Sequence, residues 1–298
     1  MEKLRDYIHS KRPTLSSSSV TTYSSILKNL YAKVFGIDHQ EMDFSKFDET
    51  EKILAFLKDI PPNRRKTILS SLVIITDQKP YRDLMMEDVR DYNAEIHKQE
   101  KTPEQQASWV STHQIEEIWE GLKKDANLLY KKKALKPADL QQIQSFVILS
   151  LLGGVPQCGI APRRSKDYVD FRIQDVDKTK DNYLDKNKMV FNSYKTAKCY
   201  GQQVIDVPKP LQAILKKWIS VNPTKYLLFD ANMNALSSVK LNQRLNKIFD
   251  ERKVSVNQLR HTYLTNKFGH TIEQKNAIAN TMTAMGSSAN MLETYVKK

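Results

Sequence analysis

The chain has 298 residues, with 47 Lys+Arg against 34 Asp+Glu and a formal net charge of +13 at pH 7. That length buries at least one full core and is expected to hold two domains. The cationic excess points to a polyanionic partner, nucleic acid ahead of a basic surface kept for solubility. Two cysteines, Cys158 and Cys199, exclude a disulfide framework and fit a reducing intracellular compartment, nuclear or cytoplasmic. No apolar run approaches membrane-spanning length, the first residues lack an apolar signal core, and no HExxH or Cys/His set calls for a metal.

Residues 2–11 read as a short helix, interrupted by Pro13 and by serines 16–19, which cap the next helix. From Val20 the apolar residues Tyr23, Ile26, Leu27, Leu30 and Tyr31 keep helical spacing. A second amphipathic helix covers residues 49–60, and Pro61-Pro62-Asn63 ends it. Asn63 is expected to cap a helix over 64–76, and a further helix covers 81–99. Residues 1–100 are therefore expected to form an all-helical DNA-binding unit. Arg64, Arg65 and Lys66, at a helix start, are its DNA-contact candidates, since helix N-termini hold phosphates with free N–H groups; a solvated basic rim is the equal alternative. Residues 101–108 carry no apolar side chain before Ala107 and read as a linker.

The second domain, 109–298, opens with a helix capped by Ser111 or Thr112. Pro137 starts the most apolar helix of the chain, over 138–152, expected at the centre of the domain. It ends at Gly153-Gly154-Val155-Pro156. Then Arg163, Arg164 and Asp167 fall on a short turn anchored by Tyr168 and Phe171. Residues 188–194 and 200–207 read as the strands of a β-hairpin with Lys195 and Lys198 at its tip. Further helices start at Pro208 and at Ser237 or Ser238. The terminal stretch sets Asn257, Arg260 and His261 on one helix, then Met285-Gly286-Ser287-Ser288, then Tyr295. An arginine to hold a phosphate and a phenol to attack it suit phosphoryl transfer. The expected fold class is mainly α with a small β-hairpin sheet.

Arg164, Lys195, Arg260 and Tyr295, spaced 31, 65 and 35 residues apart, together resemble the tyrosine recombinase (phage-type integrase) family. The resemblance covers most of the chain. Arg164 with Asp167 is similar to the first arginine box, Tyr194-Lys195-Thr196 to the hairpin lysine, and Leu259-Arg260-His261-Thr262-Tyr263 to the second arginine box. Met285-Gly286-Ser287-Ser288 with Tyr295 is similar to the segment that leads to the nucleophile. The style of the hairpin and of the Pro162-Arg163-Arg164 turn resembles members from eukaryotic DNA viruses or mobile elements more than bacterial chromosome-resolving ones.

The resemblance implies a helical core-binding domain and a mixed α/β catalytic domain, acting as a tetramer on paired double-stranded DNA sites. It implies site-specific cutting and rejoining through a covalent 3′-phosphotyrosine, with no metal, ATP or other cofactor. Arg164 and Arg260 would clamp the phosphate, Lys195 would protonate the leaving oxygen and Tyr295 would attack. Arg163 and Lys198 join Arg64, Arg65 and Lys66 as DNA contacts. Two positions depart from the pattern: Asn257 stands in place of a histidine, and Ser287 in place of a histidine or tryptophan. Both keep a hydrogen bond to phosphate, but Asn257 cannot shuttle a proton. Strand relaxation of the type IB topoisomerase kind, or DNA binding without catalysis, are the alternatives.

Overall fold

The computed structural model describes residues 2–36 and 42–297 and divides into two compact units, Met1–Lys101 and Thr102–Lys298. In the first unit α1 (Glu2–Lys11) precedes α2 (Ser17–Phe35), which Ser16 caps through the Ser19 N–H. Helices α3 (Thr50–Leu57), α4 (Pro62–Thr76) and α5 (Lys79–His97) complete it. Their apolar faces meet over Leu27, Tyr31, Ile53, Leu57 and Leu72, all buried, together with Phe47 from a 3-10 turn (Phe44–Asp48) before α3. The Tyr81 hydroxyl donates to the Phe47 carbonyl at 2.9 Å inside this core.

The start of α4 differs from the sequence expectation. Asn63 does not cap it; Pro62 takes the first helical position, where its missing N–H costs nothing, and Asn63 falls inside the first turn. The segment expected as a linker holds a short helix, α6 (Pro103–Ser108), closed by a reciprocal cap between Thr102 and Gln105.

In the second unit α7 (Thr112–Leu129) starts from the same kind of cap, between Ser111 and Gln114. It packs on α8 (Pro137–Leu152), the most buried helix, with Leu140 and the whole run from Ile143 to Leu152 out of solvent. Two polar side chains inside α8 serve its neighbours. Ser150 accepts from the Trp119 indole N–H at 2.8 Å. Gln144 accepts from the Phe229 N–H and donates to the Phe229 carbonyl, both at 2.8 Å. This amide pair satisfies the Phe229 backbone, while Leu227 donates to the Phe171 carbonyl and the Leu228 carbonyl accepts from Leu236, so the buried segment Leu227-Leu228-Phe229 is held by isolated bridges rather than a sheet.

Helix α9 (Ser165–Tyr168) leads to a three-stranded antiparallel sheet in the order β1 (Tyr183–Asp185), β2 (Lys188–Phe191), β3 (Gln203–Asp206). Val190 faces Tyr183 on one side and Val204 on the other. The β2–β3 hairpin is shorter than its sequence suggests, because the connection closes through helix α10 (Ala197–Tyr200) and a Tyr194 hydroxyl bond to the Gly201 carbonyl at 2.8 Å. Helices α11 (Lys209–Ile219) and α12 (Ser238–Ile248, capped by Ser237) come next.

Helix α13 (Val256–Ala284) runs 29 residues, roughly 43 Å at the standard rise. Its buried residues are Val256, Gln258, Leu259 and Thr262 at one end and Met282 at the other. A 3-10 turn and α14 (Leu292–Tyr295) complete the chain. No helix among the described residues is long and apolar enough to cross a membrane.

Replacing Gln144 with Leu leaves both polar groups of Phe229 buried and unpaired. The expected loss is about 2–4 kcal/mol of unfolding free energy, measured by urea denaturation. A loss below about 1 kcal/mol would show that the pair is not needed to seat this segment.

Candidate phosphate-binding site

The end of α8 and the start of α13 fix the site. Gly154 has φ +65, and a Cβ there would meet the Tyr263 ring at 2.5 Å, so glycine permits the approach of the loop after α8 to α13. The first turns of α13 are tied at three points. Ser255 caps the Gln258 N–H, the Asn242 side chain accepts from the Val256 N–H, and the Thr262 hydroxyl donates to the Val110 carbonyl at 2.9 Å. Leu259 is fully buried between them, which leaves Arg260 half-buried on the adjoining face.

Helix α9 supplies the other half. Asn182 donates to the carbonyls of Asp167 and Ser193 and accepts from the N–H groups of Asn192 and Ser193, which locks α9 against the end of β2. Asp167 is 2% exposed. Its Oδ2 accepts from Arg163 Nε at 2.8 Å, while Oδ1 is buried without a partner. The Arg163 guanidinium also donates to Gln203 Oε1 at 2.9 Å and lies 4.0 Å from the Phe191 ring centroid and 5.5 Å from that of Tyr194.

Burial pushes the Asp167 carboxyl above the ordinary carboxylate range, and the nearby charges of Arg163, Arg164 and Arg260 pull it back. Arg260 is held below its usual value, by burial first and then by Arg164. One carboxylate thus sits within the field of three guanidiniums, a local excess of two positive charges when Asp167 is ionised. Arg164 makes no side-chain hydrogen bond among the described residues and caps α9 with its backbone in extended conformation. Of the three guanidiniums, those of Arg164 and Arg260 are left free to take an anion.

Two of the expected DNA contacts, Arg163 and Arg65, each bond a buried carboxylate within the chain. Arg65 binds Asp88 through two bonds, of 2.9 and 2.6 Å, and Asp88 is fully buried. The sequence reading sets Asp167 beside Arg164 in the first arginine box, and the structure bonds it to Arg163 instead; Asp88 escapes it, because nothing in the local pattern marks that acid as buried. Lys66 lies over the Tyr92 ring, 2.7 Å from its centroid, and Arg64 is exposed with no partner among the described residues. Lys195 is exposed at the turn after Tyr194, so its backbone starts beside the Arg163 cage; Lys198 is exposed on α10. Asn257 is exposed in the first turn of α13, three residues before Arg260.

Ser287 and Tyr295 lie elsewhere. Helix α13 continues unbroken for 24 residues past Arg260, roughly 36 Å. The Ser287 N–H then caps it by donating to the Met282 carbonyl at 2.8 Å. The segment from Ser287 to Tyr295 is mostly helical turn and recovers at most about half of that length. Tyr295 is 56% exposed on α14. Among the described residues no group of three or more His, Cys, Asp or Glu could hold a metal ion.

No protein-family model and no curated protein matches the chain. Among solved structures, the chain is similar to XerA recombinase at 13% identity and TM-score 0.34, over 89% of this chain and 84% of that one. It is similar to a lambda integrase dimer bound to a COC′ core site at 12% identity and TM-score 0.44, over 91% and 73%. It is also similar to XerH site-specific recombinase bound to difH substrate, in a pre-cleavage complex, at 12% identity and TM-score 0.36, over 90% and 85%.

Because the folded midpoint of Asp167 lies above its unfolded one, ionising this carboxyl weakens folding. Its contribution is most favourable below the ordinary carboxylate range and is lost as pH rises through the folded midpoint. Wild type is therefore expected to lose stability relative to Asp167→Asn across that window, in urea unfolding at matched pH. A gap that is flat with pH, or that moves the other way, would contradict the burial of an unpaired carboxylate oxygen at this site.

Proposed function

We propose that this chain is a site-specific DNA recombinase or integrase that cuts and rejoins double-stranded DNA through a covalent 3′-phosphotyrosine. The reading is supported by Arg164 and Arg260, on separate elements, both acting by their charge on the buried carboxylate of Asp167. The local excess of two positive charges suits a phosphodiester whose charge grows from one toward two negative units as a fifth oxygen approaches phosphorus. Such a site favours the transition state over the ground state. Planar guanidiniums can clamp the non-bridging oxygens with paired bonds.

In this reading the exposed Tyr295 phenol gives its proton to water as its oxygen bonds phosphorus, the bond to the 5′-oxygen breaks, and Lys195 protonates that oxygen. The phosphotyrosine keeps the energy of the broken bond, so rejoining needs no ATP. The guanidiniums supply the positive charge that a metal would otherwise provide. Lys198, Arg64 and Lys66 serve as further contacts to the DNA backbone. The chain acts in a reducing intracellular compartment, where the exposed Cys199 stays a thiol, and its style fits an element of a eukaryotic DNA virus or mobile genome.

The length of α13 adds a constraint. With Arg260 at one end and Ser287 and Tyr295 beyond the other, Tyr295 serves the arginines of a second copy, assembled on paired DNA sites. Leu264, Phe268, Met285, Met291 and Val296 are each more than 40% exposed along this arm, an unpartnered apolar surface that such an assembly would cover. The same separation, together with Asn257 in place of a proton carrier, also favours a second reading, a DNA-binding protein without catalysis.

A nicked duplex that traps the covalent product separates these readings. Wild type is expected to give an SDS-resistant adduct without added metal, Tyr295→Phe none, and Arg260→Ala on the order of 100-fold less. Mixing the two variants should restore adduct, since one supplies the tyrosine and the other the arginine. Wild-type adduct with no restoration would place Tyr295 in its own site. Salt-sensitive binding with no wild-type adduct on any DNA would support the silent reading. Relaxed circles without strand exchange would point to topoisomerase action.

A further inference from the structure

We propose that Tyr200 is a stacking platform for an unpaired base beside the bound phosphate, on the strand end that carries the 5′-hydroxyl. The inference rests on the DNA-cleaving reading above and adds what holds the released strand. Tyr200 ends α10, in the β2–β3 connection, and is 70% exposed. Its ring meets no other ring, and its hydroxyl no hydrogen-bond partner, among the described residues. A lone exposed aromatic is ordinary on a protein surface, so the inference depends on the frame, the charge and the place of this one.

The frame is fixed at three points. The Tyr194 hydroxyl donates to the Gly201 carbonyl, the Gly201 N–H donates to the Ala197 carbonyl, and Gln202 Nε2 donates to Asn192 Oδ1, each at 2.8 Å. Gly201 has φ +64 and ψ −156, a conformation nearly reserved for glycine, so the chain turns sharply just past Tyr200. The backbone under the ring is thus already ordered, and only two side-chain torsions are left to fix when a base covers it. Lys195 and Lys198, exposed on the same connection, pair with no carboxylate among the described residues. A strand that brings a base to Tyr200 therefore finds cations for its phosphates. Gln203, three residues past Tyr200 and so within about 11 Å along the chain, accepts from Arg163. Lys195 is the group assigned to the leaving 5′-oxygen, which puts this connection on the side of the break where the 5′ end is set free. A paired base inside a duplex has both faces covered by its neighbours, whereas an unpaired base at a strand end offers one to the ring.

The test uses the full chain and two nicked duplexes, each with a short flap on the strand that ends in a 5′-hydroxyl. One flap carries bases and the other is abasic, so the charge is equal and only the base faces differ. By fluorescence anisotropy, wild type should bind the base-bearing flap at least about fivefold tighter than the abasic one. Tyr200→Ala should erase that preference without lowering the thermal midpoint of the free protein, and Tyr200→Phe should keep it. Equal wild-type affinity for the two flaps, or a preference that survives Tyr200→Ala, would overturn the proposal and leave the DNA reading in place. No salt-sensitive binding to either duplex would remove that reading itself, and the proposal with it.

Discussion

Asp167 accepts from Arg163 with one buried oxygen and keeps the other unpaired, in the field of Arg164 and Arg260. Much of the larger unit supports that carboxylate. Asn182 fixes its helix to the sheet, Gln203 and two aromatic rings fix its arginine, and Gly154 lets α13 approach closely enough to bring Arg260 near. A buried acid held above its ordinary range is costly to ionise, and the nearby cations recover only part of that cost. What the arrangement provides is position. With Arg163 occupied, the two remaining guanidiniums pair with no carboxylate among the described residues and stay available to an anion.

The second organising constraint is α13. Its first turns belong to the core through Leu259 and Thr262, and its remaining length is largely exposed. A helix of 29 residues is stiff enough to act as an arm, so the segment beyond it is placed far from Arg260. In the proposed reaction, separation of the nucleophile from the phosphate clamp makes a lone copy incomplete. It ties cutting to assembly, and an enzyme that severs DNA gains from cutting only when the partner strand is in place.

Much of the fold is legible in the sequence because its signals are local. Ser16, Ser111, Ser237 and Ser255 each accept from the backbone N–H three residues on, and apolar spacing marks the faces between such caps. β1 escapes notice because three residues, Tyr183–Asp185, are too short to show alternation, and they exist as a strand only by pairing with β2. The Gln144 pair with Phe229 spans 85 residues and leaves no local trace. At the site, residue type and spacing single out Arg164 and Arg260. Sequence alone does not tell that Arg163 and Arg65 turn inward, since that depends on which acid ends up buried beside each. Nor does it reveal that the chain between Arg260 and Tyr295 is dominated by one continuous helix rather than a fold-back.

Guanidinium ¹⁵N NMR of the full chain, titrated with a short DNA duplex, addresses the phosphate clamp without relying on turnover. The Nε resonances of Arg164 and Arg260 are expected to move on binding while that of Arg163, already held by Asp167, stays in place. Movement of Arg163 with Arg164 and Arg260 unaffected would mean that the phosphate is bound elsewhere and that the Asp167 cluster is only structural.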